Sequence, residues 1–275
     1  VHISTALASQ LARLPFFEKI RRNEGLKLQL FAAGCAAGVA VTFGAPIGGV
    51  IFSIEVTTTY YLIQNLSKGF FCAIVATLFV HLLDTHGLIA FFSTDFAPAP
   101  YTSAELVAFS LIGISFGLLG VLFNLFVKKL AQLRRNYKIF NQSRYGQVLL
   151  VAMISGLVTF PIIPLRNGPT AVLNDLFSTA PLQHWQNPNV YFVLCAVVVL
   201  EFVMCGISIG LPVPCGLYTP MFILGAALGR LIGEVLQAMH ILPGLVPAGY
   251  AVVGAAAFAA GTTREIRERA LRSVR

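Results

Sequence analysis

Apolar positions gather into long stretches along this chain, at residues 28–66, 69–83, 106–127, 148–165, 190–211, 221–236 and 245–260, and charged residues fall mostly in the gaps. Some stretches match the roughly 20 residues that a helix needs to cross a bilayer, and others are shorter. The first is far too long for one crossing, and Gly44-Ala-Pro-Ile-Gly-Gly49 interrupts its middle. Proline removes a backbone donor and glycine loosens the helix, so each such cluster marks a break. Inside hydrocarbon the backbone must satisfy its own polar groups, and broken helices survive only where protein or a lined cavity covers them. The pattern predicts an all-α, polytopic membrane protein with broken and re-entrant helices, as in transporters and channels.

Composition agrees. The 275 residues are 57% hydrophobic and only 11% charged, which excludes a soluble domain. The net charge of +8 would suit nucleic acid, but its placement argues against that partner. Basic residues cluster at 19–27, at 128–144 and in the tail from Arg264, whereas 84–105 and 167–189 contain no lysine or arginine. Basic loops stay in the cytoplasm. That rule sets Lys68 and the 128–144 loop inside, the two unbasic loops outside, and requires residues 28–67 to enter and return. The first residues, VHISTALASQLARL, read as the interior of a longer chain and not as a signal peptide. Cys35, Cys72, Cys195, Cys205 and Cys215 all lie in apolar context and read as packing residues, with no metal site and no disulfide framework.

The stretch GLPVPCGLYTPMFILGAALGRLIGE at 210–234 carries the most specific chemistry. Its prolines end one helix, and Gly216, Leu217, Tyr218 and Thr219 then supply backbone amides at the start of the next. A helix start in apolar surroundings offers N–H groups and the positive end of the dipole, with no lysine or arginine beside them. Such a place suits an anion that must leave again. The same residues also fit a proline-kinked helix whose glycines only permit close packing.

A second constellation is FAAGCAAGVAVTFGAPIGGVIFSIEVTTTYY at 31–61. Its small residues allow close helix approach, and Glu55 is one carboxylate in an otherwise uncharged helix. An intramembrane acid is a functional-site candidate, because burying it is expensive. The alternative is that Glu55 sits at the cytoplasmic end of its helix and reaches water.

Together, FGAPIGGVIFSIEVTTTYY and LPVPCGLYTPMFILGAALGRLIGE resemble the CLC family of chloride channels and chloride/proton exchangers, and more narrowly its plasma-membrane channel branch. VHIS at the start and YAVVGAAAFAAGTTR at 250–264 extend the likeness over nearly the whole chain. The resemblance implies the inverted-repeat CLC fold, here partial, and a homodimer in the lipid bilayer with one anion pathway per subunit. Chloride would be the transported ligand, with no cofactor and no metal. The resemblance places the amides near Leu217 and Tyr218 against the anion. It also implies that the gating glutamate and the serine-bearing motif precede Val1, while the coordinating tyrosine and cytoplasmic domains follow Arg275. Residues 1–263 read as the partial transmembrane domain, and 264–275, ending REIRERALRSVR, as a charged tail with the look of a truncated or misread terminus.

Exchangers of this family carry a second glutamate directly after the position of Glu55; here that position is Val56, which cannot titrate. The expectation is therefore a passive, voltage-gated chloride channel, with a chloride/proton exchanger as the alternative. No nucleophile–base pair or aspartate dyad suggests an enzyme. Trp185 and Tyr60, Tyr61, Tyr101 and Tyr191 fit an interfacial aromatic belt, and the histidines at 81, 86, 184 and 240 fit helix ends or loops. Arg230 and Glu234 are spaced as a structural pair at a helix end. Glu201, mid-run in 190–211, departs from what the family pattern leads one to expect.

Overall fold

The computed structural model describes residues 1–57, 63–83, 102–136, 144–182, 185, 186, 189–211, 213, 216–240 and 245–273. Helices make up its regular structure, and the chain divides into two compact units, Val1–Phe92 and Ser93–Arg275.

In the first unit, α1 (His2–Leu11) is followed by a 3-10 turn, the short α2 (Glu18–Arg22), α3 (Glu24–Phe43), α4 (Pro46–Thr57) and α5 (Ile63–Leu83). The Asn23 side chain accepts from the Gly25 and Leu26 N–H groups and so starts α3. Gly44 ends it with φ 64°, a left-handed cap that glycine adopts without a Cβ penalty. Pro46 then opens α4, so the sequence break is a stop signal followed directly by a start signal. The 12 described residues of α4 span about 18 Å. A core of Ala36, Ala40, Val50 and Ala73 joins α3, α4 and α5. The Lys68 ammonium donates to Gln29 Oε1 at 2.9 Å, tying α5 to α3.

The second unit holds α6 (Ser103–Asn136), α7 (Arg144–Thr159), α8 (Ile163–Arg166), α9 (Pro169–Phe177), α10 (Val190–Ile209), α11 (Tyr218–Ala238) and α12 (Pro247–Ser273). At the head of α6 the Thr102 N–H donates to Glu105 Oε2 at 2.8 Å, one of the two bonds of a capping box. At 34 residues α6 runs about 51 Å, and it continues past the apolar stretch. Lys128, Lys129 and Arg134 therefore stand on a helix and not in a loop as the charge pattern suggested. The apolar stretch 148–165 is likewise divided: α7 stops at Thr159, and Pro161 and Pro164 flank the start of α8. α12 runs unbroken through residue 263 into the charged tail.

The core of this unit is aromatic where side chains meet and bare where backbones meet. Phe123 stacks edge-on against Phe202 at 5.1 Å and against Phe258 at 6.0 Å, joining α6, α10 and α12. Elsewhere α11 and α12 pack backbone to backbone. A Cβ on Gly225 would lie 2.5 Å from the Gly254 carbonyl oxygen, and one on Gly233 would lie 2.8 Å from Pro247 Cα. Among the described residues, five helices, within Glu24–Phe43, Leu66–Leu83, Glu105–Arg134, Val190–Ile209 and Tyr218–Ala238, are long and apolar enough to cross a membrane.

Candidate anion site at the start of α11

α10 ends at Ile209 with Gly210 as its cap, and α11 begins at Tyr218 with Leu217 as its N-cap. The Met221 N–H donates to the Leu217 carbonyl at 3.2 Å, which closes the first turn. Leu217 has no polar side chain to offer as a cap, and among the described residues no side-chain cap is present. Pro220 stands third in the helix and has no N–H of its own. The N–H groups of a helix's first turn have no acceptor within that helix. Gly216 is exposed just before the cap, while Leu217, Tyr218 and Thr219 are half-buried. Pro212, Pro214 and Cys215 lie outside the described residues. The helix start falls where the prolines and Gly216 indicated, one turn of apolar chain ahead of the buried Met221, Ile223 and Leu224.

Glu55 and Val56 lie on α4, and their side chains lie outside the described residues. Site and α4 belong to different units of the chain. Glu201 is half-buried at the middle of α10, and among the described residues no hydrogen bond or ion pair reaches it.

Three sequence readings need correction. Arg230 is not at a helix end: it is the thirteenth residue of the 21-residue α11 and only 2% exposed. Its Nε donates to Glu234 Oε1 at 2.9 Å, confirming the pair. The rest of the guanidinium turns to a different segment, donating to the carbonyls of Leu176 (3.2 Å), Ser178 (2.6 Å) and Ala180 (3.4 Å). The positive group thus covers the C-terminal end of α9, where a helix presents unsatisfied carbonyls and partial negative charge. An arginine between Gly229 and Gly233 in an apolar run was the available signal; its partners, some 50 residues upstream, gave none.

Trp185 is the second correction. It is 1% exposed, among the largest fully buried side chains, so it is a core residue and not part of a lipid-facing belt. Its indole Nε1 is buried with no hydrogen-bond partner among the described residues. Tyr191 does remain exposed, while Tyr60, Tyr61 and Tyr101 lie outside the described residues. The third is Arg134, assigned by charge to a loop. Its Nη2 donates to the Ile207 carbonyl at 2.9 Å, in the last turn of α10, and its Nη1 is buried against Gly210 without a partner. His81 and His240 stand at the ends of α5 and α11 as expected; His86, His184 and Cys215 lie outside the described residues.

Stacked apolar helices, glycine-bared contacts and a broken segment opening into an uncapped helix define the class: a polytopic α-helical membrane protein with interrupted helices. The chain belongs to the voltage-gated chloride channel family, whose model matches residues 1–266. It is 37% identical to chloride channel protein F of Dictyostelium discoideum over 97% of this chain and 36% of that protein. To chloride channel protein 2 of Rattus norvegicus it is 35% identical, over 97% of this chain and 34% of the relative. The chain thus spans about a third of the length of these curated relatives. A crystal structure of a eukaryotic CLC transporter superposes with a TM-score of 0.76 at 34% identity, covering 97% of this chain and 43% of the other.

Proposed function

We propose that the full-length protein conducts chloride passively across the plasma membrane as a voltage-gated homodimer, with Gly216, Leu217, Tyr218 and Thr219 forming part of the anion site. The observation that carries this reading is the start of α11 at Tyr218, directly after the proline-rich break, with no side-chain cap among the described residues. Helix-end amides carry partial charge equivalent to roughly half a unit, so they attract an anion without holding it as a lysine or arginine would. No cofactor is needed for such a step; the transported ion is the only ligand.

Val56 supports a channel over an exchanger, because a proton relay requires an ionisable group or ordered water at each stage. The exchanger reading keeps one observation in its favour, the likeness to a structure described as a transporter. The test is a chloride gradient imposed across proteoliposomes holding the full-length protein, with external pH recorded. A channel reverses at the chloride equilibrium potential and leaves pH unmoved. Proton movement uphill on the chloride gradient would refute the channel and make Glu55 the first candidate for the relay.

A further inference from the structure

The glycine contacts that let helices approach in the second unit create a mechanical difficulty. Where backbone meets backbone, no side-chain ridge interlocks with a groove, so little resists sliding along the helix axis. Beside the close helix approaches of this unit stand polar side chains that bond to backbone carbonyls far away in sequence. Beside the α6–α12 approach at Gly120 and Gly261, Asn124 Nδ2 donates to the Thr262 carbonyl at 3.0 Å. The α6–α10 approach differs in kind, because Gly206 and Gly210 receive the side chains of Phe126 and Arg134, and there Arg134 donates to the Ile207 carbonyl at 2.9 Å. Beside the α11–α12 approach at Gly225, Gly229 and Gly233, Arg230 bonds the end of α9.

Two of these bolts bracket the broken segment. Arg134 grips the last turn of α10, where the chain enters residues 210–217, and Arg230 ties α11, into which the chain leaves, to the end of α9. We infer that Arg134 and Arg230 are positioning residues that fix the axial placement of α10 and α11, and thereby the first turn of α11 as an anion site. The inference rests on the anion-site reading above. Arg230 acts about 18 Å from Tyr218 through a rigid rod, because the intervening 12 residues are continuous helix. A planar fork is required at Arg230, since one side chain must reach three carbonyls and a carboxylate at once; lysine has a single centre of charge and cannot span them. At Arg134, a Cβ on Gly210 would collide with Nη1, so the glycine admits the guanidinium to the end of α10.

The experiment uses the full-length protein at the cell surface and reads the bromide-to-chloride and iodide-to-chloride permeability ratios from reversal potentials. These ratios are independent of how many molecules reach the membrane, so a role in folding alone leaves them unchanged. Arg230→Lys and Arg134→Met are expected to shift at least one ratio by about twofold or more, which corresponds to about 0.4 kcal/mol between ions. Arg134→Lys and Glu234→Gln are the milder variants that carry the test should either of the first two fail to reach the surface. Asn124→Leu serves as the comparison: it removes a bolt between α6 and α12, neither of which adjoins the broken segment in sequence, and is expected to lower abundance with both ratios intact. Wild-type ratios in the arginine variants overturn the positioning role, as does an equal shift in Asn124→Leu. Leu217→Trp separates this failure from that of the site: if it shifts the ratios and the arginine variants do not, positioning alone is wrong. If Leu217→Trp leaves them unchanged, the anion site fails and this inference falls with it.

Discussion

Replacing Gly229 by alanine adds one methyl group at the tightest point between α11 and α12. Alanine is the better helix former by about 1 kcal/mol, so on propensity alone the variant should be the more stable. The contact geometry reverses that expectation. A Cβ at 229 would meet the Tyr250 carbonyl oxygen well inside contact distance, and would also lie 2.8 Å from the Tyr250 carbonyl carbon and 3.0 Å from Ala251 Cα. Carbon atoms pack comfortably at about 3.5 Å, so the carbonyl carbon alone demands a shift of about 0.7 Å. Every obstructing atom is backbone of a helix whose Tyr250 and Ala251 are fully buried, so no rotamer change relieves the clash. Overpacking of this kind costs about 1–3 kcal/mol, which outweighs the propensity gain. Gly113 on α6 provides the matched control, because its added Cβ would meet nothing within 4 Å. Thermal unfolding of the detergent-solubilised full-length protein, followed by size-exclusion fluorescence, should show Gly229→Ala melting a few degrees lower, at roughly 2–4 °C per kcal/mol for a unit of this size. Gly113→Ala should melt at or slightly above the wild-type temperature. Equal melting of the two variants would refute the claim that the α11–α12 contact is set by backbone contact at Gly229.

Two smaller expectations concern helix ends. Gly44→Ala places a Cβ at φ 64° where α3 stops, and should cost about 1–2 kcal/mol, read as a lower melting temperature; an unchanged value would mean that the α3–α4 junction relaxes freely. Glu105→Ala removes the acceptor for the Thr102 N–H at the head of α6 and should cost about 1 kcal/mol, with Glu105→Gln recovering most of it; equal loss in both would implicate the charge and not the capping bond.

Short-range signals in the chain determined a good part of this protein. The Gly44-Ala-Pro46 break became a left-handed cap and an N-terminal proline because both depend only on allowed backbone angles. The start of α11 fell within Gly216–Thr219 for the same reason, and the family was legible from motifs at 44–61 and 211–234. Tertiary structure alone decided what those elements touch. Hydropathy located Arg230 near the end of an apolar run, yet the helix continues past it and its guanidinium closes a helix that ended 50 residues earlier. Trp185 had the composition of an interfacial residue and is buried in the core. Gly113 and Gly229 look alike in sequence, and only one has a backbone opposite it. Local preferences are properties of a residue and its near neighbours, and can be read along the chain. Which carbonyl a buried cation satisfies, and which glycine faces another helix, depends on the relative placement of segments far apart in sequence, and that exists only in the folded molecule.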